Sequence, residues 1–276
     1  MTKKLIRRLP NYIVRFGVLD GIRLAWQVER AVEKKSDVIR PYRVPGYASE
    51  VWLRDTVSDH SIFWQCLVME QYALDRFPHT ARLEEYYHSE LAAGRLPVVV
   101  DCGGNIRLAS LWFAKRFPEA RIVVVEPDGD NFSLLERNLA HLGNRVQMVR
   151  GGVWPESGWL RIRNPDSGSA AFQVEWASEG SPGALRAYTL DELCKLGGGN
   201  SPFIVKIDIE GAQSELFKRN TDWVSRTNLI TLELDDWLMP WQGTSRSFFS
   251  CVGQYPFEYL LGGESIFCYR DVGAGI

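Results

Sequence analysis

Apolar and polar positions along the chain change rhythm near residue 90. Before it, "YIVRFGVLDGIRLAWQVERAVEKK" sets Ile13, Phe16, Val18, Ile22, Ala25, Trp26 and Val28 near helical spacing, with basic residues between them. That spacing predicts an amphipathic helix. "SDHSIFWQCLVMEQYALDRF" predicts another, with Ser58 or Asp59 as its cap and Ile62, Cys66, Met69 and Leu74 on related faces. From "LPVVVD" onward, short unbroken apolar runs alternate with helical stretches. Residues 98–100, "RIVVVE", "RVQMVR", "FIVKIDIEG" and "NLITLELDD" read as strands buried on both faces, as in a parallel sheet. "IRLASLWFAKRF", "DNFSLLERNLAHLG" and "AQSELFKRN" read as the helices between them, the second starting at Asp130 and stopping at Gly143. "TLDELCKL" is a short helix with Thr189 and Glu192 in capping-box spacing. "WLRIR" and "AFQVEW" predict a hairpin at the edge of the fold. "YPFEYLLGGESIFCYR" predicts another, turning at Gly262 and Gly263.

This alternation predicts right-handed βαβ units and an α/β fold, with five parallel strands followed by an antiparallel hairpin. Residues 1–90 are expected to be a helical extension packed on the core, and residues 91–276 a ligand-binding domain. Composition changes that picture little: 276 residues, 45% hydrophobic and 24% charged, suit a globular chain with a sizeable core. A net charge of −2 argues against nucleic acid held by bulk electrostatics. The five cysteines stand singly with no CxxC pair, which favours a reduced, cytoplasmic setting over a disulfide framework. No apolar run approaches the roughly 20 residues of a membrane span. Pro10, Asn11 and Arg15 interrupt what a signal peptide would need to be apolar. The basic first helix suits either packing on the domain or peripheral contact with an anionic membrane. The oligomeric state is not legible at this level.

Ligands of open α/β sheets bind at the carboxyl ends of the strands. The turn "DCGGNIR" sits there, where Gly103 lets the backbone turn tightly beside a ligand. Glu126, about twenty residues on, is placed to hold ribose hydroxyls. The GxGxxG run that cradles a pyrophosphate is absent, and Asp101 suits an ammonium group better than a phosphate. A ligand with an adenosine and an amino acid but no phosphate fits best, and S-adenosylmethionine is that ligand. The competing class is a sugar-nucleotide dehydrogenase or epimerase, which would bind a dinucleotide.

The stretch "VVVDCGGNIRLASLWFAKRFPEARIVVVEPDGDNFSLLERNL" resembles the opening of the FkbM-type methyltransferases, whose turn reads D-x-G-x-N-x-G and whose second strand ends E-P-D. "TLDEL" and "FIVKIDIEGAQSELF" are similar to two later segments of that family, and "VWLRDTVSDHSIFWQCLVMEQY" to the segment before the core in its saccharide-modifying members. The resemblance covers about residues 50 to 235. It implies the Rossmann-like class I methyltransferase fold, a seven-stranded sheet with its last strand antiparallel. It also implies an S-adenosylmethionine-dependent O-methyltransferase acting on a small-molecule or saccharide hydroxyl. The implied cofactor residues are Asp101, Gly103, Asn105, Glu126, Asp128, Asn131, Gly152 and Val153. Asp128 and Asn131 serve equally well as helix caps. Two positions depart from the pattern: Arg107 replaces its final glycine, and Gln213 the glutamate after "EGA". A degenerate, non-catalytic binder is the reading that Arg107 keeps open; contact with the cofactor carboxylate is the other.

Methyl transfer to a hydroxyl calls for a base beside the methyl group. Asp208 at the end of the fourth strand is the first choice, with Glu210 and Glu233 as further candidates. Glu210 also suits the start of the following helix. The same carboxylates can ligate a hard cation, but no spacing demands one and no metal is expected. The four histidines are expected at the surface, His60 least securely, and the ten tryptophans include candidates for a sugar platform.

Overall fold

The computed structural model describes residues 3–31, 36–106, 108–164 and 173–271. The expected first helix is two, α1 (Lys3–Phe16) and α2 (Val18–Ala31), broken at Gly17 with φ of 83°. They close into a hairpin at Gly21, where a Cβ would lie 2.5 Å from the Tyr12 carbonyl oxygen. Two strands follow that hydrophobic periodicity did not foretell, β1 (Ser36–Tyr42) and β2 (Val51–Asp55), paired antiparallel. Pro41 and the separating loop blur their alternation. Next comes α3 (Val57–Phe63), running straight into a π-helical turn over Trp64–Val68. Its cap is Thr56, whose hydroxyl accepts from the Asp59 N–H, and not Ser58 or Asp59. The helix α4 (Thr80–Ala92) then leads to the core.

The core alternates as expected: β3 (Val98–Cys102), α5 (Leu108–Arg116), β4 (Arg121–Glu126), α6 (Gly129–Leu139) and β5 (Val146–Arg150). An insertion follows, with β6 (Gly152–Val153), β7 (Gly158–Ile162), β8 (Val174–Ala177) and β9 (Leu185–Tyr188) in a small sheet of order β6-β9-β7-β8. The expected β7–β8 hairpin is there. Then come α7 (Leu190–Leu196), β10 (Pro202–Ile207), α8 (Gln213–Leu216), α9 (Asp222–Arg226), β11 (Leu229–Glu233), α10 (Arg246–Val252), β12 (Phe257–Gly262) and β13 (Ser265–Arg270). The Thr189–Glu192 capping box forms. The expected helix after β10 shrinks to the single turn of α8.

The main sheet has seven strands in the order β12-β13-β11-β10-β3-β4-β5, with β13 antiparallel to both its neighbours. Successive strand residues point to opposite faces. Val99, Ile122, Val124 and Ile204 therefore join one apolar cluster with Leu5, Tyr12, Leu53 and Phe63 of the N-terminal segment. Val100, Val123, Val125 and Val205 join the other, against Leu193, Phe217 and Trp223. Both faces are covered, which is why these strands read as unbroken apolar runs. The layering leaves the carboxyl ends of β3, β4, β10 and β11 facing one side, where the loops that follow them meet.

Candidate functional site

The turn after β3 approaches the loop after β10 closely. Gly103 has φ of 74°, and a Cβ there would sit 1.8 Å from the Asp208 carbonyl oxygen, so no side chain fits. Asn105 also takes the left-handed region, at 48°, which asparagine tolerates better than most residues. Its N–H donates to the carboxylate of Glu126 at 2.8 Å. Glu126 is 4% exposed and also accepts from the Asp128 N–H at 3.1 Å and the Asn131 side chain at 3.3 Å. Asp128 is the N-cap of α6, accepting from the Asn131 N–H at 2.8 Å, so Asp130 is not the cap.

Six of the eight cofactor candidates line one cleft: Gly103, Asn105, Glu126, Asn131, Gly152 and Val153. Val125, Pro127, Val174 and Ile209 add apolar wall. Asp128 stands outside that lining as a helix cap, and Asp101 lies beneath it. Asp101 is fully buried, accepts from the Ser110 hydroxyl at 2.6 Å, and pairs at 3.2 Å with the ammonium of Lys206.

Lys206 was not singled out from the sequence, although a lone lysine inside "FIVKID" was the available signal. It is 3% exposed, donates to the Gly103 carbonyl at 2.8 Å, and also pairs with Asp208 at 3.2 Å. Burial works to lower its pKa, but Asp101 and Asp208 outweigh burial and hold it well above the ordinary lysine value. Asp208, whose side chain is 43% exposed, thus sits beside a fixed cation.

A second cavity adjoins the cleft and shares Gly103, Asn105, Asp208 and Glu210 with it. Gln65, Cys66 and Tyr72, from the π turn and the loop beyond, form one wall; Lys206, Glu233, Asp236, Trp237 and Glu264 form another. The three catalytic candidates thus meet in this cavity, two of them on the shared boundary. Glu210 has φ of 44°, a conformation that glutamate adopts rarely and at a cost. It does not cap the next helix, whose N-cap is Ala212 with no side-chain bond. Burial first, then the charges of Asp208, Asp235 and Glu233, push its pKa up to about 7. Glu233 is pushed up to about 7 by burial, Asp208, Glu264 and Asp235.

Gln213 is 4% exposed and donates its amide to the Glu233 carbonyl at 3.0 Å. An ionised glutamate lacks that donor, so the departure ties α8 to the end of β11. Arg107 lies outside the described residues. His60, expected at the surface, is fully buried and packs edge-on against Tyr42. Of the tryptophans, Trp237 is 71% exposed at the second cavity, and Trp241 is fully exposed. Among the described residues no three histidine, cysteine, aspartate or glutamate side chains gather as metal ligands would.

A seven-stranded sheet of this order, with an acidic residue ending β4 beside a glycine turn after β3, defines a class I methyltransferase architecture. Residues 101–245 match the methyltransferase FkbM domain, more than half of the chain, and the protein belongs to that family. It is 27% identical over 138 residues to the hexuronic acid methyltransferase AglP of Haloferax volcanii, covering 50% of this chain and 55% of that one. It is 23% identical over 159 residues to the 2-O-methyltransferase NoeI of Sinorhizobium fredii, covering 51% and 64%. The chain thus spans between half and two thirds of the length of these relatives. Among solved structures it matches a precorrin-6y C5,15-methyltransferase from Geobacter metallireducens with a TM-score of 0.35 and 16% identity, covering 68% of this chain and 87% of that one.

Proposed function

We propose that the protein is an S-adenosylmethionine-dependent O-methyltransferase that methylates a sugar hydroxyl. The observation that carries the reading is the pair of cavities joined at Gly103, Asn105, Asp208 and Glu210. One offers an apolar wall with a single buried carboxylate, which suits an adenosine; the other opens beside it, lined by carboxylates and an exposed indole. The donor set of the cleft fits the cofactor: Glu126 supplies acceptor oxygens for ribose hydroxyls, and Val125, Pro127 and Val153 supply apolar surface for an adenine. Bound there, S-adenosylmethionine supplies an electrophilic methyl group. The names of the two relatives, a hexuronic acid methyltransferase and a 2-O-methyltransferase, favour a saccharide acceptor.

In this reading Gly103 and Asn105 bring backbone close to the cofactor, and Asp101 acts from beneath by fixing Lys206. Sequence alone favours Asp208 as the base; Asp208 is engaged by Lys206 at 3.2 Å, and in this reading Glu210, which lines both cavities, takes that role. A Glu210 carboxyl pushed up to about 7 matches the proton affinity that general-base catalysis needs at neutral pH. The Glu210 carboxylate takes the hydroxyl proton as the acceptor oxygen attacks, and Trp237 offers a face for the sugar ring. The test is calorimetric titration with S-adenosylhomocysteine and with a nicotinamide dinucleotide. The first binds, and Glu126→Ala weakens it by at least about tenfold, the loss of a charge-assisted hydrogen bond. Dinucleotide binding in its place overturns the reading.

A further inference from the structure

The α1–α2 hairpin is apolar on two sides. Leu24, Ala25 and Val28 of α2 are buried against the protein at helical spacing. Val18, Leu19, Ile22 and Trp26 recur at helical spacing on another side of the same helix, and that side meets solvent: they are 60%, 84%, 45% and 54% exposed. Val14, near the end of α1, is 87% exposed as well. A surface helix of a globular domain carries one apolar stripe, and a second, contiguous one marks a contact surface.

Charge identifies the contact. Residues 3–31 contain seven basic side chains and two acidic ones, Asp20 and Glu29, within a chain whose net charge is −2. Some of the cations are used internally: Arg8 and Lys4 pair with Glu29, and Arg15 with Glu70. Arg7, Arg23 and Arg30 are exposed, and the Arg30 guanidinium lies 4.4 Å above the Trp26 ring. An exposed apolar stripe of valine, leucine, isoleucine and tryptophan edged by arginine matches the interfacial zone of a bilayer whose headgroups are negative. No helix among the described residues is long and apolar enough to cross a membrane, so the contact is peripheral.

We infer that the solvent face of the α1–α2 hairpin docks the protein on an anionic lipid surface, with Leu19, Ile22 and Trp26 entering the headgroup boundary and Arg23 and Arg30 meeting lipid phosphates. The inner side of the hairpin rests on the π turn through Tyr12 and Trp64, whose rings are 5.6 Å apart, and that turn walls the second cavity. Docking therefore brings the proposed acceptor cavity close to the membrane. This inference does not depend on the methyl-transfer reading.

The test is co-sedimentation of the full chain with vesicles of phosphatidylcholine plus phosphatidylserine, and with phosphatidylcholine alone. The protein is expected to sediment with the mixed vesicles and far less with the neutral ones, and to be released by salt. The double variant Leu19→Glu/Trp26→Glu should lose about tenfold or more of that binding, and Arg23→Gln/Arg30→Gln about fivefold or more. Because all four side chains are exposed, thermal melts of both variants should match the parent. Absence of binding to mixed vesicles overturns the inference, as does binding unchanged in the variants. Sedimentation velocity showing a dimer that Leu19→Glu abolishes assigns the face to a second copy and overturns it equally.

Discussion

Gly103 concentrates the most constraint into the least chemistry. Its left-handed backbone and the 1.8 Å that would separate a Cβ from the Asp208 carbonyl leave no room for alanine. Gly103→Ala is expected to cost at least about 2 kcal/mol in a urea melt, from backbone strain and displacement of the β10 loop, and to weaken cofactor binding with it. Glu210 carries strain of a different kind, kept where burial, and then the charge of its neighbours, raises its carboxyl. A base acts only when deprotonated, so the rate of methyl transfer should rise with pH through about 7. Glu210→Gln should remove that rise and about 10²–10⁴-fold of turnover while leaving the binding of S-adenosylhomocysteine within a few-fold of the parent. A variant that keeps the full pH limb returns the role of base to Asp208 or Glu233.

The elements show what the amino-acid pattern could reveal. Strands β3, β4, β10 and β11 were legible because burial on both faces leaves mostly apolar residues, and Asp101, Glu126, Asp208 and Glu233 mark where those runs end. The break at Gly17 was harder to see, since apolar residues continue in helical phase across it. The pair β1–β2 was invisible because Pro41 and the separating loop blur its alternation, and the bond that anchors it, from the Trp52 N–H to the Asn138 side chain, spans 86 positions. Lys206 escaped because a lysine in an apolar run is read as an interruption until Asp101 and Asp208 close around it. The end of β11 also yields a prediction of stability. Glu233 has a folded pKa raised above its unfolded value, so the folded state holds more protons between about 4.5 and about 7, and stability falls as pH rises through that window. Glu233→Gln removes the penalty. Melting at pH 8 should show it more stable than the parent by under about 1 kcal/mol, since the side chain is only half-buried and solvent screens it, and melting at pH 4 should show no gain. A loss of stability at pH 8 would contradict a carboxyl raised by burial and by its acidic neighbours.

At the scale of the whole molecule, the cleft proposed for the cofactor adjoins an acid-lined cavity, and a basic, twice-apolar hairpin rests on that cavity's wall. The central claim is transfer of a methyl group to a sugar oxygen at the junction of the two cavities. It is tested most directly by incubating the purified protein with methyl-labelled S-adenosylmethionine and a saccharide-containing cell extract, then identifying the labelled product by mass spectrometry. The expected product is a sugar carrying one new O-methyl group, formed by the parent and lost with Glu210→Gln. Label found in protein or nucleic acid, or no label from a protein that binds the cofactor, would contradict it.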